Sequence, residues 1–221
     1  MFGIVIAFKE YRYDMGVFGS PWVGFDNFKF FFTSNDAFRI TKNTLVMNTL
    51  FITFGTVSAV AFALLLYEVN RRWAVKTYQT ILLLPHFISW VIVGYMTYAL
   101  FNPQFGIANQ LLQNMGLEPV EWYSRPELWP PILTIASVWQ SVGMNLIVYY
   151  AALMGIDSQY FEAATLDGAT KWQQIRYVSL PTLYPLVIIL TILAIGKIFR
   201  ADFGMFYQLT RDIGALYPTT D

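Results

Sequence analysis

Polar side chains interrupt three otherwise apolar stretches of the sequence and could bind a ligand there. In the first stretch, His86, Ser89 and Trp90 follow Pro85 at an i, i+3, i+4 spacing that would place them on one helical face. The second stretch carries a similar polar face, and the third ends in charged residues beside phenylalanines. Their candidate residues are Ser137, Gln140, Ser141, Met144 and Asn145 in the second stretch, and Lys197, Phe199, Arg200 and Asp202 in the third.

The chemistry of these residues suits a carbohydrate. Recognition of a sugar requires directed hydrogen bonds to its hydroxyl groups and aromatic faces against its apolar C–H surface, and the three groups supply both. Arg200 adds a planar guanidinium whose geometry matches a carboxylate or a phosphate. The residue types therefore favour a sugar ligand, and Arg200 suggests an acidic or uronic sugar.

Each group also has a purely structural interpretation, which the residues alone leave open. Serine and glutamine in membrane helices often only join neighbouring helices. Lys197, Arg200 and Asp202 could mark the membrane interface or pair with one another. His86 could cap backbone carbonyls that Pro85 leaves free, and tryptophans near the ends of membrane spans commonly belong to an aromatic belt.

The composition indicates that membrane-spanning helices must position these residues. The chain has 221 residues, of which 56% are hydrophobic and 13% charged, whereas soluble domains carry about a quarter charged residues. A helix needs about 20 mostly apolar residues to cross a bilayer. Uncharged or nearly uncharged runs of that length are residues 44–67, 81–101, 129–155 and 177–196. We therefore predict an all-α integral membrane protein with four full spans, the second of which Pro85 can bend.

The two ends of the chain suggest a truncated protein. Residues 1–8 are apolar, but at about 1.5 Å per residue they would cover less than half of a bilayer, so we interpret them as the tail of a cut helix. Residues 217–221 are polar and prone to turns. Repeats and inter-domain linkers are not evident, so we expect one membrane domain over residues 1–221, with part of a fifth span at its start.

Several classes of function are disfavoured. The net charge of zero gives no basic surface for nucleic acid. With no cysteine and a single histidine, thiolate and multi-histidine metal sites are excluded, although carboxylates could hold a hard cation. An intramembrane enzyme would need a nucleophile and a base or a metal set. A phosphate-binding loop for ATP is also missing. A channel or a structural membrane protein would satisfy the hydropathy equally well.

A polar segment between the last two spans has a distinctive sequence. Glu162-Ala163-Ala164 begins a short motif that ends at Asp167-Gly168. We expect a short helix with Asp157 or Ser158 as its N-cap, followed by a turn in which Gly168 takes a left-handed conformation. Taken alone, this pattern would fit any interfacial helix-turn-helix of a membrane protein.

The spacing of this segment resembles the EAA loop of permease subunits of binding-protein-dependent ABC importers. That loop has Glu-Ala-Ala, three residues, Gly, nine residues, and then an aliphatic residue, any residue and Leu-Pro, which here is Leu180-Pro181. In the family the loop is cytoplasmic and docks on the ATPase subunit. The resemblance implies a coupling loop over residues 157–181, with the loops 9–43 and 102–128 outside the cell. The coupling residues that it implies are Glu162, Ala163, Ala164, Asp167, Gly168, Leu180 and Pro181.

Other segments resemble the carbohydrate branch of the same family, the maltose and glycerol-phosphate permeases. They are residues 22–28, 48–50, 84–85 and 100–106, and the whole chain is most similar to the LplB-type polysaccharide permeases of Gram-positive bacteria. The resemblance implies a multi-pass subunit of the bacterial plasma membrane with a family core of six spans. It also places that family's sugar contacts near His86, Trp90, the polar face of residues 137–144 and residues 199–202.

The resemblance further implies which partners the chain has. They are a second permease subunit, cytoplasmic ATPase subunits that carry ATP and Mg²⁺, and an extracellular solute-binding lipoprotein that delivers a sugar or oligosaccharide. The chain itself is then expected to be neither an enzyme nor a binder of any cofactor. An importer permease for a non-carbohydrate solute remains the alternative.

Overall fold

The computed structural model describes residues 3–220, except for the side chains of Phe30, Phe31 and Asn35. These residues are almost entirely helical, and their extended pairing is limited to an isolated bridge between Lys9 and Trp22. The all-α prediction is confirmed. Contacts divide the chain into two compact units, Met1–Asn43 and Thr44–Asp221.

The N-terminal unit contains helices also within residues 9–43, where the sequence suggested a long loop. It contains the short helices Gly3–Ile6 and Gly16–Gly19 and the helix α1, Asp26–Thr33. Lys9 is buried, and its Nζ donates a hydrogen bond to the carbonyl oxygen of Phe18 at 2.8 Å, which partly compensates for the loss of water. Residues 1 and 2 of the predicted cut span, and Asp221 at the other end, lie outside the described residues.

The helix α2, Asn35–Tyr67, ends where the first predicted span ends but begins nine residues earlier than residue 44. The hydropathy pattern missed this first part because it is charged. Asp36 and Arg39 lie one turn apart and form an ion pair at 3.1 Å, which supports a helix without contributing any hydrophobicity.

The second predicted span, residues 81–101, is not one continuous helix but two helices with a break between them. The helix α3, Arg72–Leu83, starts inside the predicted connection 70–80 and continues as one tighter turn, Leu84–Phe87. Ile88 and Ser89 are extended, with ψ of 128° and 149°, and the helix α4, Trp90–Phe101, then leaves at 94° to the first part. We call residues 84–89 the elbow. Pro85 has no N–H to donate, which weakens the helix at this point.

The third and fourth predicted spans agree well with helices of the structure, and short helices lie between and after them. The short helix α5 is Ile107–Asn114, and α6, Trp129–Met154, matches the third predicted span. The coupling loop contains α7, Ser158–Leu166, and the start of α8, Lys171–Ile195, which continues through the fourth predicted span with one wider π turn at Ile175–Ser179. The helix α9, Phe203–Thr210, follows, and one-turn helices lie at Trp122–Ser124, Pro126–Leu128, Gly214–Leu216 and Tyr217–Thr220.

Two apolar clusters hold the second unit together. One surrounds Trp129 near the loop 102–128, and the other surrounds Leu153 near the coupling loop. Small residues let the helices approach closely, because a Cβ at Gly143 on α6 would collide with the backbone of Leu82 on α3. The first cluster contains Met47, Val93, Tyr123, Trp129, Leu133, Met205, Leu209 and Leu216, and the second contains Ala59, Ala63, Leu66, Val142, Leu146, Tyr149, Leu153 and Leu183.

Candidate functional site

The elbow lies against α6 and is held there by Gln140. The Nε2 of Gln140 donates a hydrogen bond to the carbonyl oxygen of Ile88 at 2.9 Å. This carbonyl belongs to the extended residue at which the helix breaks, so the glutamine supplies a donor at the point where the helical pattern stops. A residue that the sequence indicated as a sugar ligand therefore also has a structural partner.

Trp90 and Asp202 meet directly after the elbow, where α4 begins. Trp90 Nε1 donates a hydrogen bond to Asp202 Oδ2 at 2.9 Å, although the two residues are 112 positions apart in the sequence. The other oxygen of the carboxylate, Oδ1, accepts a hydrogen bond from the backbone N–H of Met205 at 3.2 Å and so caps the start of α9. Asp202 thus joins the first helical turns of α4 and α9.

The proposed common face of His86, Ser89 and Trp90 is not formed. The elbow separates these residues, since His86 lies in the tight turn, Ser89 is extended and Trp90 begins α4. The His86 ring is exposed, with its edge toward Phe87 at 5.8 Å between ring centroids. Within residues 3–220 the imidazole caps no carbonyl, so the alternative role suggested for it is not found either.

The other candidate residues show different degrees of exposure. Ser141 Oγ donates to the carbonyl of Ser137 at 2.7 Å, so this hydroxyl is satisfied within its own helix. Met144 and Asn145 are exposed on the following turn of α6. Lys197, Phe199 and Arg200 are exposed after α8, and within the described part of the chain neither cation pairs with Asp202.

The coupling loop has the predicted local structure. Asp157 is the N-cap of α7, because its Oδ1 accepts a hydrogen bond from the N–H of Gln159 at 3.0 Å. Gly168 has a φ of 75°, the left-handed conformation that glycine adopts without a steric penalty. Thr170 and Gln173 then form a reciprocal capping box that starts α8.

The motif residues of this loop are accessible to a partner. Glu162, Ala163, Asp167 and Gly168 are exposed, as are Leu180 and Pro181, whereas Ala164 is half-buried. Leu166 at the end of α7 is 90% exposed, so its apolar side chain is accessible to a partner. The loop therefore presents small, acidic and apolar side chains on a surface that its own chain leaves uncovered.

An open cleft of about 660 Å³ separates α7 from the end of α2. Lys171 Nζ and Glu68 Oε2 form an ion pair at 3.1 Å across it, and the rings of Tyr67 and Phe161 lie 5.7 Å apart. Sequence analysis did not identify Glu68 or Lys171. Glu68 directly follows α2, and Lys171 begins α8. The signal in the sequence was that these two residues of opposite charge stand near the ends of predicted spans.

Gln174 is buried and ties the two helices of the coupling loop together. Its Nε2 donates to Thr165 Oγ1 at 3.0 Å and to the carbonyl of Ala169 at 3.5 Å. Because a buried amide without partners would be costly, these bonds fix the turn at Gly168 between α7 and α8. The loop is therefore held as one rigid corner.

Comparisons with known proteins identify the family to which the chain belongs. Residues 45–205 match the family described as the inner membrane component of binding-protein-dependent transport systems. Protein LplB of Bacillus subtilis strain 168 is 35% identical over 213 residues, which cover 96% of this chain and 67% of LplB. The polygalacturonan/rhamnogalacturonan transport system permease protein YteP of the same organism is 34% identical over 223 residues, which cover 99% of this chain and 70% of YteP.

Solved structures show the same fold. A bacterial ABC transporter involved in the import of the acidic polysaccharide alginate superposes with a TM-score of 0.88 at 35% identity, over 99% of this chain and 72% of that one. The bacterial alginate ABC transporter in complex with a pentasaccharide-bound periplasmic protein gives a TM-score of 0.83 at 36% identity, over 90% and 68% of the two chains. The chain belongs to the family of inner membrane components of binding-protein-dependent transport systems and has the fold of an ABC importer permease.

Proposed function

We propose that this chain forms part of the translocation pathway of an ABC importer that takes up an acidic oligosaccharide. The observation that carries the proposal is the coupling loop, a rigid corner with exposed motif residues at the end of a bundle of membrane helices. A channel or a structural membrane protein would have no use for such a surface. Import by this family begins with a binding protein, so the solute is delivered from outside the cell.

We assign ATP hydrolysis to a separate cytoplasmic subunit that docks on the coupling loop. Glu162 offers a carboxylate for pairing across that interface, and the exposed Ala163 permits close approach of the partner's backbone. A conformational change of the partner can bias the permease only through contacts that differ between its two states. The rigid corner around Gln174 is suited to transmit such a change to α8. A second permease subunit would complete the pathway.

We place the sugar site at the elbow and on the neighbouring face of α6. Transporter sites lie near the middle of the bilayer and commonly use interrupted helices, whose free ends offer backbone groups to the substrate. Trp90 provides an aromatic face, and Gln140 and Asp202 provide polar groups beside the break. His86, Ser89, Ser137, Ser141, Met144, Asn145, Phe199 and Arg200 are the further candidate contacts.

The acidic class of substrate is supported by two independent facts. Arg200 is exposed and stands shortly before Asp202 in the sequence. Its guanidinium carries a positive charge that binding of a neutral sugar would not need. The names of two relatives refer to acidic polysaccharides, polygalacturonan in one case and alginate in the other. Uronic acids are common to both polymers, so we propose an oligouronide as the solute.

Reconstitution of the complete transporter tests this function. The chain would be purified with its second permease, ATPase and binding protein and placed in proteoliposomes with ATP inside. We expect ATP-dependent uptake of labelled trigalacturonate, and no uptake without the binding protein. Uptake of neutral maltotriose but not of trigalacturonate would contradict the acidic class. Failure to import either sugar, with normal import of a different class of solute, would contradict the assignment to carbohydrates.

A further inference from the structure

A small polar pocket of about 190 Å³ lies between α4 and α9, beyond the elbow. The two helices come close here because Gly94 has no side chain, since a Cβ would lie 2.6 Å from the carbonyl oxygen of Gln208. The volume is below the roughly 300–1,000 Å³ typical of sites for drug-sized ligands, so the pocket suits one sugar ring or a single charged group. Its lining consists of Val91, Gly94, Tyr95, Tyr207, Gln208 and Arg211.

Arg211 is held in a defined position at the end of this pocket. Its guanidinium carbon lies 4.0 Å from the centroid of the Tyr98 ring. The residue ends α9 in the left-handed conformation, with a φ of 57°. Stacking on an aromatic ring uses the face of the guanidinium and leaves the N–H donors in its plane available.

The charge of Arg211 has no counter-ion in the described part of the chain. None of the ion pairs within residues 3–220 includes it, and the adjacent Asp212 accepts a hydrogen bond from the Tyr217 hydroxyl at 2.8 Å. Tyr123 is close to Tyr98 and supplies no negative charge, since a phenol is neutral at physiological pH and burial raises the pKa of this one further, to about 12. A fixed guanidinium without a counter-ion is suited to bind an anion.

We propose that this pocket is a carboxylate-binding subsite in which Arg211 binds the uronate group of an acidic oligosaccharide. The inference rests on the proposed function, because it assumes that such a sugar enters the pathway. A planar carboxylate matches the paired N–H donors of arginine. The hydroxyls of Tyr95 and Tyr207 and the amide of Gln208 form no hydrogen bond among residues 3–220, so they are free to contact sugar hydroxyls.

The subsite lies in line with the elbow. Because Trp90 meets Asp202 at the start of α4 and Tyr98 meets Arg211 near its end, α4 and α9 run side by side in the same direction. The eight positions from Trp90 to Tyr98 correspond to about 12 Å of helix. Tyr123 of the loop 102–128 donates to the carbonyl of Leu209 at 3.4 Å, so Arg211 is at the end that carries this loop. The separation is within the length of an oligosaccharide of a few rings.

The test measures binding of trigalacturonate and of its methyl ester, which has the same rings without the charge. Equilibrium dialysis would use the complex of the two permeases and the ATPase, without the binding protein. Arg211→Asn removes the guanidinium, and asparagine tolerates the left-handed conformation. Arg211→Lys keeps the positive charge but loses the paired N–H donors of the guanidinium. Arg125→Asn removes an exposed cation from the loop 102–128 and serves as the matched control.

We expect the Kd for trigalacturonate to rise about tenfold in Arg211→Asn, which corresponds to about 1.4 kcal/mol, and by less in Arg211→Lys. The Kd for the ester should not change in any variant, and Arg125→Asn should behave as the unmodified complex. The subsite is refuted if Arg211→Asn leaves the binding of the acid unchanged, if it weakens acid and ester equally, or if the unmodified complex does not prefer the acid.

Uptake in proteoliposomes separates this inference from the proposed function. Selective binding of the acid that depends on Arg211, without any ATP-driven uptake, would support the subsite and contradict the importer function. Normal uptake of trigalacturonate together with Arg211-independent binding would leave the function in place and refute the subsite.

Discussion

At the scale of single residues, Gln140 is both the support of the elbow and a candidate sugar ligand. Gln140→Ala leaves the carbonyl of Ile88 without its donor, and hydrogen bonds of this kind between membrane helices contribute about 1 kcal/mol. We expect a small loss of thermal stability in the purified complex and a fall of about tenfold in uptake, equivalent to about 1.4 kcal/mol of lost sugar binding. Both quantities would be measured on the same preparation.

Thr134→Ala is the matched control for Gln140→Ala. It removes a hydroxyl from the same helix, and among residues 3–220 that hydroxyl bonds to the carbonyl of Pro130 one turn earlier and not to the elbow. We expect uptake by this variant to stay near normal. If Gln140→Ala lowers uptake only in proportion to the amount of folded complex, the residue supports the elbow and does not bind the sugar.

Gly168 gives the second prediction at this scale. Its φ of 75° is a conformation that a β-branched residue adopts only with strain, and left-handed geometry costs other residues about 1–2 kcal/mol. Gly168→Val should displace the corner between α7 and α8, so we expect less co-purified ATPase and lower transport at unchanged membrane abundance. Measurements of ATPase recovery and of hydrolysis stimulated by the loaded binding protein check this result.

Gly116 provides a control with the same backbone geometry in another loop. Its φ is 76°, and like Gly168 it has open space where a Cβ would be. Gly116→Val therefore carries a similar conformational penalty outside the coupling loop, and ATPase recovery should be normal. Equal losses of ATPase in the two variants would show that strain in any loop, and not the coupling corner, causes the effect.

Sequence analysis predicted local contacts of single residues better than distant ones. The cap at Asp157 and the left-handed Gly168 were both predicted, because each depends on neighbours within a few residues. The bond between Trp90 and Asp202 was not, since its partners are 112 positions apart and no pattern of a single chain fixes their meeting. Both residues had nevertheless been selected as candidates from their polarity within apolar stretches.

At the scale of helices, the largest difference from the prediction is the complete break within the second predicted span. Hydropathy measures composition and not direction, so an apolar run of the correct length was interpreted as one span that Pro85 could bend. Pro85 was a visible signal, but the chain bends only at Ile88 and Ser89. The basic residues of α3 concealed its helical nature, although Arg72, Lys76 and Thr80 recur every four residues and would share one face.

Gly143 gives a prediction about the packing of these helices. A methyl group at this position would collide with the backbone of Leu82 just before the elbow, and backbone atoms cannot move aside as a side chain can. Gly143→Ala should therefore separate α3 from α6 and destabilise the permease by about 1–3 kcal/mol, as overpacked cores do. Yield in the membrane and thermal stability in detergent are the quantities to measure.

Gly55→Ala is the matched control on α2. A Cβ at Gly55 meets no atom within 4 Å, and alanine is favoured over glycine within a helix by about 1 kcal/mol. Stability should be unchanged or slightly higher. Normal stability of Gly143→Ala would contradict the close contact between α3 and α6.

At the scale of the whole molecule, the orientation in the membrane is still a prediction. We expect the coupling loop in the cytoplasm and the loop 102–128 outside the cell. The two loops lie on opposite sides because one membrane-spanning helix, α6, connects them. The cysteine-free chain allows single cysteines to be added at exposed positions, Ala163 and Glu118. Asn109 would be a poor choice, since it is buried and bonded to Val120.

An impermeant thiol reagent applied to intact cells should label Glu118→Cys and leave Ala163→Cys unmodified. Both positions should react after the membrane is permeabilised, which controls for accessibility of each side chain. Labelling of Ala163→Cys alone in intact cells would reverse the orientation, and with it the side on which the ATPase docks.

The π turn at Ile175–Ser179 has a consequence for engineering. The buried positions of α8 are Gln174, Ser179 and Leu183, spaced by five and then four residues. In a regular α-helix five residues advance by about 500°, which is one full turn and about 140° more, so Gln174 and Ser179 would face different directions. The wider π turn brings the two side chains back to the same face of α8. A coupling loop transplanted into another permease must therefore include the chain through Ser179. A junction made earlier would join two helices whose faces are out of phase.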